Sequence, residues 1–392
     1  MKILHCSDLH LDASLRGRLD GNAAAGRRRE LLHTFHRLMD WAGAHAADAI
    51  LLCGDLFDSS HPSRQTVRAV EDLIASHGDL SVFYLRGNHD EGDLLFSGRP
   101  DPANLFRFDS SWTSYVIPLG SSGQIRGGQR RSLCITGMEL AGGIPGGQGG
   151  NGVPFSAPQL DPSCVNIVML HGQVLEGAVP SGPDSIPLGP LRGCHIDYLA
   201  LGHIHSHRAW ALDQRGTAVY AGCLEGRGFD ECGACGFYLL DINEETGAIR
   251  YEFIPFAGRR LFSLPCDITG CASAVDLCSR ADAVLRAARS SDTLAVGGIG
   301  EQDLVRLELT GRPEYDCPTD PAYLVSEFAD RFYYFTVTDH TRPMIRAGDY
   351  LSDPTLKGEF VRTVMGAPDL SAQDKDEILC CGLRALSLDT LF

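Results

Sequence analysis

Residues 1–12, MKILHCSDLHLD, decide how the rest of the chain is read. The run KILHC has the length and apolar character of a short buried strand. Just beyond it stand Asp8 and His10, two strong metal ligands. A lone Asp-x-His pair carries little information. It gains meaning only if later segments bring partners of the same chemistry to the same place.

Later segments repeat the pattern. The runs AILLC (49–53), VFYL (82–85), NIVML (166–170) and YLAL (198–201) are short, apolar and rich in β-branched or aromatic residues, as buried strands are. Each ends in a polar cluster: Asp55 in CGDLFD, Asn88 and His89 in RGNHD, His171 in LHG, and His203 and His205 in LGHIH. Between the first runs, residues 27–46 place Leu31, Leu32, Phe35, Leu38, Met39 and Ala42 on one helical face. Residues 63–78 do the same with Val67, Val70, Leu73 and Ile74, and Gly78 is a stop signal. Alternating strand and helix predict an α/β fold. In such sheets, ligands sit beyond the carboxyl ends of strands. Strand alternation, in which residues i and i+2 share a side, predicts that Asp8/His10 and His203/His205 each present two groups together. The adjacent glycines would let the backbone turn beneath them.

Asp8, His10, Asp55, Asn88, His171, His203 and His205 therefore have the composition of a two-metal site. Mixed nitrogen and oxygen donors suit Mn, Fe or Zn, whereas an all-oxygen cage suits Ca or Mg. The charge of two divalent cations exceeds what Asp8 and Asp55 return, so the site would stay positive, as a phosphate ester requires. Two such ions acidify a shared water and brace an in-line displacement at phosphorus. His89, beside the ligand Asn88, is placed to protonate the leaving group as a general acid. His5, His33, His36 and His195 have no partner cluster and read as structural. His207 has the parity of the last pair but points toward solvent or substrate.

The bulk properties bound the classes. The chain has 392 residues, 44% hydrophobic and 21% charged, enough for more than one domain. No apolar run has the roughly 20 residues of a bilayer span. Asp8, His10 and Asp12 interrupt any signal-peptide core, so a cytoplasmic location with no membrane contact is expected. The 14 cysteines are scattered and read as reduced thiols; CGAC (232–235) has redox or zinc spacing but lacks a second pair, and reads as a turn between strands. A formal net charge of −16 argues against nonspecific coating of nucleic acid, without excluding a nuclease. Basic patches at Arg27–Arg29, at Arg126 with Arg130 and Arg131, and at Arg259–Arg260 read as solvated faces or as DNA contacts.

The glycine-rich stretches 120–132 and 141–152 cannot pack a core and read as mobile loops. RLFSLPCDITG (260–270) reads as a boundary. Beyond it, 303–311 alternates as a strand and 321–339 reads as helix then strand, a smaller α+β domain. The division expected is 1–258, then a capping, DNA-binding domain at 259–340, then a tail at 341–392. Ile378, Leu379, Leu383 and Leu386 have helical spacing, which suits a docking helix.

The order DLH, GDLFD, GNHD, HG, GHIH resembles the calcineurin-like metallophosphoesterases, and SDLHLD, GDLFD and GHIH together with the second domain look like the SbcD-type DNA repair exonucleases among them. The resemblance implies a four-layer sandwich of two mixed β-sheets flanked by helices, with a smaller α+β capping domain and a helical C-terminal tail. It implies that Asp8, His10, Asp55 and His205 bind one metal, that Asp55 bridges, that Asn88, His171 and His203 complete the second, and that His89 is the acid. It also implies two divalent ions, manganese above Fe, Zn or Mg; 3′ to 5′ exonuclease and single-strand endonuclease activity on DNA; a homodimer; and an SMC-like ATPase partner held by a C-terminal docking segment. Some relatives carry a second histidine where this chain has Asp58. GCLEGRGFDE (222–231) resembles a bacterial subgroup in which Arg227 would touch phosphate; a plain connecting loop is the other reading. Two further functions stay open: a phosphodiesterase or phosphatase on nucleotides or other small esters, and a clamp subunit whose metal chemistry is vestigial.

Overall fold

The computed structural model describes residues 1–15, 19, 21–59, 61–90, 92, 94–119, 132–140, 155–176, 184–290 and 297–387. Nearly all of the two glycine-rich stretches, with Arg126, Arg130 and Arg131, lies outside the described residues. Two compact units are present, Met1–Arg260 and Leu261–Phe392.

In chain order the first unit contains β1 (Lys2–Cys6), α1 (Gly21–Ala44), β2 (Ala49–Cys53), α2 (Arg64–Ser76), β3 (Ser81–Leu85), β4 (Leu105–Arg107), β5 (Thr113–Pro118), β6 (Ser132–Gly137), β7 (Val165–His171), β8 (Gln173–Leu175), β9 (Ser185–Pro187), β10 (Tyr198–Gly202), β11 (Arg208–Ala211), β12 (Thr217–Tyr220), β13 (Gly236–Ile242) and β14 (Ile249–Pro255). They build two six-stranded mixed sheets flanked by helices, in the orders β14-β13-β1-β2-β3-β4 and β11-β12-β10-β7-β6-β5. The first four strands of the chain run parallel, as do β6, β7, β10 and β12, and antiparallel strands close the remaining edges.

Period-two patterning packs the sheets face to face. Ala49, Leu51 and Cys53 of β2 meet Tyr198 and Ala200 of β10, Ile167 and Met169 of β7 and Ile135 of β6 in one buried cluster. The alternate residues Leu199 and Leu201 face an outer cluster with Ile186, Leu188 and Leu191. β1, β2 and β3 are joined by α1 and α2. Leu31, Phe35, Leu38, Met39 and Ala42 are buried along α1, as the helical period predicts; Val70, Leu73 and Ile74 are buried along α2. The Ser63 side chain accepts from the Thr66 N–H and caps α2, which ends at Ser76 just before Gly78.

The second unit opens at Leu261, within the segment read as a boundary, and that segment also forms a strand, β15 (Leu261–Asp267). With α3 (Ala274–Arg289), β16 (Leu304–Thr310), α4 (Pro321–Phe328) and β17 (Tyr334–Asp339) it forms a parallel three-stranded sheet and its own core. α5 (Leu356–Gly366) and α6 (Ala372–Ser387) follow, sharing a cluster of Val361, Val364, Leu379 and Leu383. Ile378 is exposed, so the apolar face of α6 runs through Leu379 and Leu383. No helix among the described residues is long and apolar enough to cross a membrane. All 14 cysteines are thiols outside any disulfide, and most of them are buried.

Candidate metal centre

All seven predicted ligands and His89 lie where parallel strands of the two sheets end. Strand alternation does not place them. β1 stops at Cys6 and β10 at Gly202, so Asp8, His10, His203 and His205 stand in the loops beyond. Asp8 (φ 53°), His10 (φ 44°), Asp55 (φ 52°) and His203 (φ 99°) hold left-handed backbone, rare for side-chain-bearing residues. Backbone bonds fix these bends: the Asp8 N–H donates to the Gly54 carbonyl at 3.0 Å and the His10 N–H to the Asp55 carbonyl at 2.9 Å. Close approach explains the neighbouring glycines. A Cβ at Gly54 (φ +85°) would lie 2.1 Å from His171 Nδ1, and one at Gly87 would lie 2.1 Å from Asp55 Oδ1.

Asp55 sits at the centre. Its Oδ2 is 3.6 Å from His10 Nε2 and 3.3 Å from His171 Nε2, and its Oδ1 accepts from the His89 N–H at 2.9 Å. On one side, His205 Nε2 lies 3.7 Å from Asp8 Oδ1 and 3.3 Å from His10 Nε2. On the other, Asn88 Oδ1 lies 3.0 Å from His171 Nε2 and 3.2 Å from His203 Nδ1. Asp8 is oriented by the Ser7 hydroxyl, donating at 2.5 Å, and by the His203 N–H, donating at 3.0 and 3.1 Å. His171 Nδ1 donates to the Cys53 carbonyl at 2.9 Å, which leaves Nε2 as the ligand nitrogen.

The electrostatics fit a cation site. Asp8 and Asp55 are 0% and 2% exposed, a costly burial for carboxylates without positive charge nearby. Burial would raise Asp55, but His171 and His10 hold it below the usual carboxylate range. Burial would lower His171, yet the Asp55 carboxylate draws it up to about 9. Burial keeps His10 and His203 low, and so neutral and able to ligate. Ligand atoms of Asp8, His10 and His205, of Asp8, Asp55 and His171, and of His10, Asp58 and His89 each fall within 4.8 Å of one another.

His89 is exposed, with its ring 4.9 Å from that of His10. Its Nδ1 donates to the Asp58 carbonyl at 3.0 Å, leaving Nε2 at the open side of the site. Arg227 is 5% exposed, and its guanidinium is engaged by Glu231 and Asp58. Glu231, absent from the sequence reading, accepts from His205 Nδ1 at 2.8 Å, and burial would raise it but for His205 and Arg227. His207 is exposed and stacks on Phe253 at 3.8 Å. His5 is fully buried, with Nδ1 2.9 Å from the Tyr198 hydroxyl.

The sequence model of the calcineurin-like phosphoesterases matches residues 1–207, more than half of the chain. The protein belongs to that family. This calcineurin-like phosphoesterase is 28% identical over 270 residues to the uncharacterized metallophosphoesterase YhaO of Bacillus subtilis (strain 168), a match covering 64% of this chain and 60% of that protein. It thus spans less than two thirds of that relative's length. Among solved structures it is similar to TT1561 of Thermus thermophilus (14% identity, 64% of this chain and 98% of that one, TM-score 0.36). A dimetal phosphatase from Danio rerio is similar too (11% identity, 62% and 93%, TM-score 0.34).

Proposed function

We propose that this calcineurin-like phosphoesterase is a two-metal DNA phosphodiester hydrolase. The observation that carries the reading is the position of Asp55, with one carboxylate oxygen within 3.6 Å of His10 and 3.3 Å of His171, joining two ligand clusters. Asp8, His10, His205 and Asp55 would hold one cation, and Asp55, Asn88, His171 and His203 the other. When bound, two divalent ions supply an activated water and neutralise the charge that builds at phosphorus. The protein's own groups do the rest. Ser7 and the His203 N–H orient Asp8, the Cys53 carbonyl fixes the His171 tautomer, and His89, acting as an imidazolium whose Nδ1–H is held by the Asp58 carbonyl, would deliver the proton on Nε2 to the leaving oxygen. Manganese suits the mixed nitrogen and oxygen donors.

DNA as substrate is supported by the motif resemblance and by a groove of about 710 Å³. It is lined by His61, Arg64, Arg68 and Arg99 together with Glu71 and Asp72, and Arg99 pairs with Glu71. Its Arg64 and Arg68 side chains are of the kind that contact a phosphate backbone. The test is one assay of the purified protein with Mn²⁺, presenting end-labelled single- and double-stranded DNA beside a small chromogenic phosphodiester. Products shortened from the 3′ end are expected. Hydrolysis of the small ester alone would replace this reading with the small-ester phosphodiesterase. The same reading makes the active form a homodimer and residues 341–392 the dock for an SMC-like ATPase. Exposed Leu351, Leu356 and Met365 support the docking role. Retention of the ATPase by a chain ending at residue 340 would remove it.

A further inference from the structure

His10 and His205 face each other across 3.3 Å, Nε2 to Nε2. In a neutral imidazole one nitrogen keeps the proton and the other the lone pair, and the partner of one decides the role of the other. His205 Nδ1 is 2.8 Å from Glu231 Oε1, and His10 Nδ1 is 3.1 Å from Asp58 Oδ1. Glu231 hydrogen-bonds His205 Nδ1, which Arg227 Nη2 also approaches at 3.1 Å, whereas Asp58 faces His10 Nδ1 as a negative charge without a hydrogen bond; in both rings the carboxylate favours the proton on Nδ1. Both lone pairs then converge on one point, flanked by Asp8 Oδ1 at 3.7 Å from one ring and Asp55 Oδ2 at 3.6 Å from the other.

The two orienting carboxylates belong to distant segments, and one side chain joins them. Arg227 donates to Asp58 Oδ1 at 2.9 Å through one terminal nitrogen and to Glu231 Oε1 at 2.6 Å through the other. The Arg227 backbone N–H donates to Glu231 Oε2 at 2.7 Å. Arg227 and Glu231 are 5% and 6% exposed, so this contact is built into the interior.

We infer that Arg227 is a positioning residue, the centre of an Asp58–Arg227–Glu231 clamp that aims His10 and His205 at the first cation. The inference rests on the two-metal reading above. The planar guanidinium can hold two carboxylates in fixed geometry, which a lysine ammonium cannot. Its one positive charge offsets half of the negative charge of Asp58 and Glu231, and its two terminal nitrogens hold both carboxylates in place. That keeps both from turning inward to compete with Asp8 and Asp55 for the ion. The second cation has none of these three residues among its ligands and is indifferent to the clamp.

The experiment is calorimetric titration of the metal-stripped full chain with MnCl₂, for the wild type, Arg227→Met and Arg227→Lys. The lysine variant keeps the charge and guards against simple misfolding in the methionine variant. The wild type should bind two ions. Both variants should keep one site at wild-type affinity and lose about 10–100-fold at the other, the range for removing groups that orient metal ligands. A merely structural role would weaken both sites together. Two sites of wild-type affinity in the variants, or parallel loss at both, would overturn the clamp while leaving the two-metal reading intact. A wild type that takes up no pair of ions would overturn both.

Discussion

At the scale of single residues, Asp8, His10, Asp55 and His203 occupy backbone conformations that cost on the order of 1–3 kcal/mol each. The surrounding bonds over-determine them, and their carboxylates and rings gain a convergence that regular strands could not provide. Gly87 is the sharpest test of this crowding. Gly87→Ala places a methyl 2.1 Å from Asp55 Oδ1 and must displace the carboxylate between the two clusters. Both Mn²⁺ affinities should fall at least 10-fold in an equilibrium titration. His89→Gln should behave oppositely. With the proton donor removed and no ligand touched, kcat should drop about 10²–10⁴-fold, the usual worth of general acid catalysis, while metal content by elemental analysis stays that of the wild type. The candidate ligands could be read from the sequence because each follows an apolar run of strand length. Glu231 could not, because nothing local distinguishes it; its partner His205 lies 26 residues away and meets it only in the folded chain.

At the scale of elements, α1 is tied to the loop after β12 by a buried ion pair. Arg27, 1% exposed, donates to Glu225 Oε1 at 2.9 Å and to the Gly226 carbonyl at 2.6 Å. Thr34 of the same helix donates to Glu225 Oε2 at 2.8 Å, and the N–H of Gly258 donates to it at 2.7 Å. Arg27→Ala leaves a buried carboxylate short of its cation. It should cost about 3 kcal/mol in urea unfolding, the low end for breaking a buried pair because three other donors remain. The sequence reading gave Arg27–Arg29 as a solvated face or a DNA contact. Arg27 corrects it, since its partner is 198 residues distant and leaves no local pattern. Helix faces and strand identities did show in the sequence, because burial imposes periods of 3.6 and 2 on the residues themselves. The i, i+2 argument for Asp8/His10 and His203/His205 applied a strand rule to residues that lie past their strands.

At the scale of the whole molecule, acid stability follows from His5. Its ring is fully buried beside Tyr198, and burial pushes its pKa from the usual 6.5 down to about 3. The unfolded chain binds a proton that the folded chain refuses. The stability contributed is therefore present above pH 6.5 and lost as pH falls toward 3, at about 1.4 kcal/mol per pH unit. His5→Phe should flatten this part of the stability-versus-pH curve measured by denaturant unfolding; an unchanged slope would refute the assignment. The boundary read near 260 coincides with the division between Met1–Arg260 and Leu261–Phe392, and the same segment is also β15, a strand not evident until its partner strand β16 is known.

The proposed metal ligands are divided between the two sheets of the first unit. Asp8, His10, Asp55 and Asn88 hang from one, whereas His171, His203 and His205 hang from the other. Any ion gripped by both sets rivets two plates that otherwise meet through a largely apolar interface crossed by polar contacts such as His5–Tyr198 and His171–Cys53. At a free metal concentration 100 times the dissociation constant, one such rivet adds about 2.7 kcal/mol. Dialysis against a chelator should therefore lower the melting temperature of Met1–Arg260 and leave the transition of Leu261–Phe392 where it was, as scanning calorimetry would register. Scarcity of metal would then silence the protein twice, once by emptying its reaction centre and again by loosening the sandwich that shapes it.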